Sequence, residues 1–212
     1  MAIIYRAQLT PGKQDVITSW LARQPWSGVS EGEAIELVGA FRFDDPDEHI
    51  GIETHIVRRS DGRILQVPLT YRGEPLEGAE DHLAGEMEHS VLGHRWIYDA
   101  TGDRVYAQAL ASTILRGKSG ADVFLDADGT LVPQTSTVVV HGFGDPDSQE
   151  PEVTTVSPAV EDTPDGGAVC ILTTDTASLA VYFTPRPATG DEGQLTGRWD
   201  GLGDSMLLAG IM

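Results

Sequence analysis

Several ingredients of common chemical sites are scarce in this chain. Cysteine occurs once in 212 residues, at Cys170, which excludes an intramolecular disulfide framework and a multi-cysteine zinc site. Lysine occurs only at Lys13 and Lys118, and all basic residues number 14 against 33 acidic ones, a formal net charge of −19. A surplus of that size repels phosphate backbones and anionic headgroups, so neither nucleic acid nor membrane is an expected partner. Long apolar runs are missing too: none approaches the roughly 20 residues that cross a bilayer. The opening Met1-Ala2-Ile3-Ile4-Tyr5-Arg6 has neither the charged start nor the apolar stretch of a secretion signal, and a cytoplasmic location is expected. Gly-x-Gly-x-x-Gly, the P-loop pattern and Gly-x-Ser-x-Gly do not occur.

What is present is a globular composition, 40% hydrophobic and 22% charged, long enough for one domain or two small ones. Charge is unevenly spread: residues 1–118 hold 12 basic and 18 acidic groups, residues 119–212 only 2 and 15. Residues 2–9 alternate as a first strand does. Thr10-Pro11 then makes a helix start, a capping hydroxyl before a residue whose φ suits the first turn. Val16, Ile17, Trp20 and Leu21 fall at helical spacing within 11–24. Strand-like segments follow at 34–43, 50–58 and 63–72, joined by Asp44-Asp45-Pro46-Asp47-Glu48 and Ser60-Asp61-Gly62, which carry turn chemistry. Connections this short favour antiparallel neighbours. Residues 83–91 and 95–98 read as two more strands, and 103–116 as a helix with the stripe Val105, Tyr106, Ala109, Leu110, Thr113 and Ile114, ended by Gly117. Beyond it come short β-rich runs at 121–125, 131–140, 152–157, 168–173, 178–184, 195–199 and 205–209. The expected class is α+β: an antiparallel sheet with one or two packed helices over residues 1–117, then an acidic β-rich sheet or small barrel over 118–212.

The stretch Val123-Phe124-Leu125-Asp126-Ala127-Asp128-Gly129-Thr130 resembles the nucleophile motif of haloacid-dehalogenase-type phosphatases, in which Asp126 would attack phosphorus and Asp128 would act as acid and base beside Mg²⁺. That chemistry needs a parallel sheet with crossover helices and a downstream lysine, and no lysine follows Lys118. A hairpin turning on Asp128-Gly129 is the better reading. His82, His89 and His94 lie among Glu80, Asp81, Glu86 and Glu88 without the His-Glu-x-x-His spacing that sets two imidazoles on one helix face. Asp44, Asp45, Asp47, Glu48 and His49 form an acidic loop, more commonly solvated than ligating. No metal and no cofactor are expected. Cys170 sits in an apolar strand and behaves as a small hydrophobe. Trp26, Tyr71, Trp96, Tyr98, Tyr106 and Trp199 are possible sugar platforms, although core packing is the commoner use of such rings.

Four blocks occur in order: Gly39-Ala40-Phe41-Arg42-Phe43-Asp44-Asp45-Pro46, Gly51-Ile52-Glu53-Thr54, Leu65-Gln66-Val67-Pro68-Leu69-Thr70-Tyr71-Arg72-Gly73, and Met87-Glu88-His89-Ser90-Val91-Leu92-Gly93-His94-Arg95-Trp96-Ile97-Tyr98-Asp99-Ala100. Together with the helix start at 103–109 they resemble the N-terminal cap domain of actinobacterial maltokinases, over about residues 2–117. The resemblance implies a curved antiparallel sheet with a helix. Maltokinase phosphorylates maltose with ATP in a route from trehalose to α-glucan, with its chemistry in later kinase lobes. This sequence offers no matching Lys–Glu pair, catalytic-loop Asp or metal Asp, so no catalytic residue carries over. The resemblance thus implies a non-catalytic, cap-like accessory or regulatory factor of maltose, trehalose and glycogen metabolism, whose partner is a glucan-pathway enzyme. The alternatives are a module binding α-glucan or maltooligosaccharide, and a Mg-dependent phosphatase or phosphotransferase using Asp126 and Asp128. Candidate binding residues are Arg42, Asp44, Tyr71, Arg72, Glu88, His89, Trp96 and Asp99.

Overall fold

A computed structural model describes residues 1–45 and 49–212 of the chain. Its first expected strand divides in two. Strand β1 (Ala2–Tyr5) and strand β2 (Leu9–Thr10) join different sheets, because the Ala7 N–H turns back onto the Tyr5 carbonyl at 2.9 Å and redirects the chain. Helix α1 (Lys13–Ala22) starts later than the Thr10-Pro11 signal implied. Thr10 is committed to β2 opposite Glu88, so Gly12 takes the capping position and the Asp15 carboxylate accepts its N–H at 3.2 Å.

Strands β3 (Glu36–Phe43), β4 (Gly51–Arg58), β5 (Ile64–Arg72), β6 (Leu83–His89) and β7 (Gly93–Asp99) follow. With β2 they form a six-stranded antiparallel sheet in the order β2-β6-β7-β5-β4-β3. Irregularities at Leu37/Gly39 and Leu83/Gly85 bend it. Val16, Ile17, Trp20 and Leu21 of α1 bury against Val57, Leu65, Val67, Leu69 and Ile97 on one face, the helical stripe meeting the period-two stripe.

The opposite face, through Phe41, Phe43, Ile52 and Ile56, enters a larger core with helix α2 (Arg104–Leu115) and a second sheet. That sheet contains β10 (Val138–Phe143), β11 (Val156–Asp162), β12 (Ala168–Thr174), β13 (Ser178–Pro187), β14 (Gln194–Trp199) and β15 (Met206–Ile211), in the order β10-β14-β15-β13-β12-β11. All its pairings are antiparallel, and β10 and β11 are its edges. Trp26 stacks on Phe183 at 4.0 Å, and the Gln66 amide donates to the carbonyls of Tyr182 and Leu208 at 3.3 and 3.0 Å, so the core is continuous across the expected boundary at 117–118. Gly117 ends α2 at φ +59°, as its sequence position suggests. Gly142 and Gly144 pass so close to that end that a Cβ would fall 2.0 and 2.2 Å from the carbonyl oxygens of Thr113 and Ile114.

The third sheet has three strands: β1 pairs in parallel with β8 (Val123–Ala127), which forms a hairpin with β9 (Thr130–Gln134). Asp128 at φ 56° and Gly129 at φ 86° make the turn, as expected for an Asp-Gly hairpin. The run expected at 131–140 is two strands, interrupted where the Thr137 hydroxyl accepts the Ala40 N–H at 2.8 Å. The run at 152–157 is mostly loop, fixed by Gln108 and Asp175, and the strand begins at Val156. Among the described residues no helix is long and apolar enough to cross a membrane.

Candidate functional site

Alternation along β4 sends Ile52, Thr54 and Ile56 toward the larger core and Glu53, His55 and Val57 toward α1. Antiparallel register then sets Arg42 of β3 opposite Glu53, and Tyr71 lies two residues beyond Leu69 on the same face of β5. The first residue of α1, Lys13, closes the group from above. Glu53, only 7% exposed, receives Lys13 Nζ on Oε2, Arg42 Nη2 on Oε1 at 2.8 Å, and His55 Nε2 at 3.2 Å. His55 Nε2 also meets Tyr71 Oη at 3.1 Å, and Lys13 Nζ lies 5.4 Å from the centre of the Tyr71 ring. Burial is the largest single influence on Glu53 and pushes its carboxyl up. His55, Arg42 and Lys13 together outweigh it and hold the group well below the usual carboxylate range. Burial and then the Glu53 charge raise the Tyr71 hydroxyl well above its usual value, so it stays a neutral hydrogen-bonding group.

Of the eight candidates, this cluster brings together Arg42 and Tyr71. Glu53, His55 and Lys13 were missed. The signal available was a charged and an imidazole side chain interrupting a strand whose other face already carried Ile52 and Ile56.

Arg72 serves a different site on the opposite face. Its Nε and Nη2 each reach Asp103 at 2.7 Å, a bidentate clamp that the Thr70 hydroxyl joins at 2.9 Å. Asp103 is fully buried and also caps α2 by accepting the Val105 N–H at 3.0 Å. Asp99, at the end of β7, is buried and caps the following turn through the Thr101 N–H and hydroxyl at 3.0 and 2.8 Å. Burial raises its carboxyl, and with burial its charge raises the thiol of Cys170 to about 12. Asp44 pairs with the amino group of Met1 at 2.6 Å.

The remaining three candidates lie near the outer end of β6 and β7. His94 is held between Glu88, on Nδ1 at 2.7 Å, and Glu86, on Nε2 at 3.2 Å, and its ring meets half-buried Trp96 edge-on at 4.3 Å. The Glu88 hydrogen bond raises the His94 imidazole above its ordinary value. His89 faces the other way: its Nδ1 accepts the N–H groups of Val91 and Leu92 at 3.2 and 3.0 Å, and Tyr5 of β1 sits against it. Burial and then the Arg95 charge lower it, consistent with a neutral acceptor nitrogen.

Among the described residues no group of three or more His, Cys, Asp or Glu is placed to hold a metal. The acidic loop includes Asp47 and Glu48, which with Pro46 lie outside the described residues. Asp126 accepts the Gly129 N–H at 2.7 Å within the β8–β9 hairpin, so it and Asp128 build that turn. Tyr106, Tyr98 and Trp199 are core residues, and Trp26 is half-buried against Phe183, which leaves Trp96 and Tyr71 as the accessible rings on the first sheet. A groove of about 560 Å³ between α1 and the 31–35 loop contains none of the candidates.

Residues 20–103 match the family model of the maltokinase N-terminal cap domain. That span begins at Trp20 within α1, contains β3 to β7, and ends on Asp103, the carboxylate clamped by Arg72. No curated protein matches the chain significantly.

Proposed function

We propose that this chain is a non-catalytic, cap-like accessory or regulatory protein of cytoplasmic maltose, trehalose and α-glucan metabolism, and that it acts by contacting a glucan-pathway enzyme. The observation that carries this reading is the maltokinase cap match over 20–103. The packing supports it. Arg72 and Asp103, with Asp99, are consumed in holding β5, β7 and α2 together, which is a scaffold's use of charge. The accessible polar face is the Glu86–Glu88–His94–Trp96 group, two carboxylates and a half-buried ring on adjacent strands, suited to an interface that buries an aromatic anchor inside a polar rim.

The same group supports a second reading, binding of an α-glucan, since an indole flanked by carboxylates can stack on a pyranose and accept from its hydroxyls. One experiment separates the two. The tagged chain is used to capture partners from its native cells, captured enzymes are identified and reconstituted with purified chain, and calorimetry with maltooligosaccharides runs alongside. The partner reading expects an identified glucan-pathway enzyme whose reconstituted binding falls at least tenfold in Trp96→Ala or Glu88→Lys, with no heat from sugar. Saturable sugar binding lost in Trp96→Ala would replace it with the module reading. Silence in both measurements overturns the proposal.

A further inference from the structure

Strand register makes Glu86, Glu88, His94 and Trp96 a two-by-two block. Glu86 stands opposite Trp96 and Glu88 opposite His94. Met87 and Ile97 turn into the α1 core, so these four side chains share the other face of the sheet. Helix α2 and the second sheet cover that face at β3 and β4, but no residue of β6 or β7 enters their core. The block is left uncovered, with the Glu86 and Glu88 side chains 50% and 68% exposed. Its charge is one-sided. Between Arg72 and Arg95 the chain has six carboxylates, Glu74, Glu77, Glu80, Asp81, Glu86 and Glu88, and no lysine or arginine. Arg72 stands opposite Trp96 on β5 but is clamped on Asp103. Arg95, opposite Met87, belongs to the α1 face with His89, and its guanidinium lies over Gly73. His82 sits over Gly102 and acts on Asp99, and β2 places only the neutral Thr10 opposite Glu88.

His94 shows what kind of group this block holds. Both of its ring nitrogens meet a carboxylate, Nδ1 on Glu88 at 2.7 Å and Nε2 on Glu86 at 3.2 Å, and its ring meets the Trp96 indole edge-on at 4.3 Å. A neutral imidazole has one N–H and one lone pair, so only the imidazolium donates to both carboxylates. The block thus seats a planar cation with two N–H donors, between two carboxylates and against an aromatic ring. A guanidinium is the same kind of group with more donors, and it combines carboxylate pairing with stacking on tryptophan better than an ammonium does. We infer that this block docks an arginine side chain of the partner, which takes the place of the His94 imidazolium. The inference rests on the partner reading of the same group. His94 is partly exposed, and ion pairs open to solvent are weak, so it can yield its position. Loss of its proton favours the exchange further. A neutral ring leaves the two carboxylates without a cation, whereas arginine keeps its charge.

The test is an NMR titration of the full chain with N-acetyl-arginine amide at pH 5.5 and pH 8.0, with the uncharged N-acetyl-citrulline amide as the second arm. At pH 8.0 the arginine amide should give saturable shifts of the Trp96 and His94 ring C–H resonances, and the citrulline amide should not. At pH 5.5 protonated His94 competes. Its midpoint is raised above 6.5, so the affinity there should be at least about tenfold weaker. His94→Thr should remove this pH dependence and bind at pH 5.5 as the parent does at pH 8.0. Glu88→Gln should weaken the pH 8.0 binding at least threefold, and Glu161→Gln, on β11, should leave it unchanged. No saturable shift at pH 8.0, an equal response to citrulline amide, equal affinity at the two pH values, or a folded His94→Thr protein that keeps the parent's pH dependence would each overturn the inference. Tighter binding of free L-arginine than of its blocked amide would make the amino acid itself the ligand and overturn docking of a partner side chain. None of these measurements uses the partner enzyme. Their failure is therefore distinct from failure to capture an enzyme, which counts against the partner reading alone.

Discussion

Residues 1–118 and 119–212 give their carboxylates different kinds of partner. In the first part many of the partners are cations: Glu53 with Lys13 and Arg42, Asp103 with Arg72, Glu36 with Arg58. In the second part, among the described residues, no ion pair joins two of its own members. Glu150 is paired from outside, by Arg116 and Lys118 at the end of α2. The other acids turn to hydroxyl and backbone donors: Asp175 to Thr154, Asp165 to Thr163, Asp191 to Thr189, Asp126 to the Gly129 N–H. These bonds lower the Asp165 and Asp175 carboxyls much as ion pairs would. With only two basic residues after Lys118, the second part has almost nothing else to use. Hydrogen bonding from neutral donors can therefore replace counter-charges on a surface; among buried carboxylates Asp103 and Glu53 each have an arginine, whereas Asp99, with the Thr101 N–H and hydroxyl as its donors, has its carboxyl raised by burial.

The comparison breaks most visibly at Asp103. Arg72→Ala strands a fully buried carboxylate and is expected to cost about 3–5 kcal/mol in urea unfolding; a loss under 1 kcal/mol would show that Thr70 and the α2 amide suffice. Glu53→Gln comes next. Lys13 and Arg42 lose a buried partner, so unfolding at neutral pH should become easier by about 2 kcal/mol. Because the folded carboxyl lies below its unfolded value near 4.5, its stabilisation is complete above that pH and is lost as pH falls through the folded value. The acid limb of the parent's stability curve should flatten in this variant, and an unchanged limb would place the acid sensitivity elsewhere. Glu150→Gln sharpens the boundary case. Its carboxyl is lowered to about 2, so its contribution disappears between pH 4.5 and 2, but half-exposure and solvent screening hold the neutral-pH loss to about 1 kcal/mol or less. The smallest effect belongs to His94. Its raised imidazole favours the folded chain fully below pH 6.5 and loses that contribution as pH rises through the folded value. An NMR titration should show the His94 midpoint fall in Glu88→Gln, and a static midpoint would mean that Glu88 does not set it.

Strand periods and turn chemistry were readable because they are local. The alternation of Ile50, Ile52, Thr54 and Ile56 marked β4, and Asp128-Gly129 marked the β8–β9 hairpin, each from a few adjacent residues. Glu53 was not readable as a site. Its meaning depends on Arg42 arriving from β3 and Lys13 from α1, which pairing register and helix docking decide. Arg72 was legible as a candidate binding residue, but Asp103 was read only as part of a helix start. That one carboxylate does both tasks appears only when β5 and α2 are seen side by side. The split of 2–9 into two strands likewise turns on partners far along the chain, His89 for Leu9 and Val123 for Ala2.

That last pairing carries a kinetic consequence. Strands β3 to β7 find their partners within one contiguous stretch, β5 reaching β7 over the β6–β7 hairpin, and can pair as soon as that stretch is made. Strand β1 must wait for β8, with the whole first sheet and α2 between them, and closing so large a loop is entropically slow. During synthesis β1 leaves the ribosome well before β8 and finds this partner only after the first sheet and α2 have followed. Until then its Ile3 and Ile4 stay without the strand partners, Phe124 and Leu125, that they later meet.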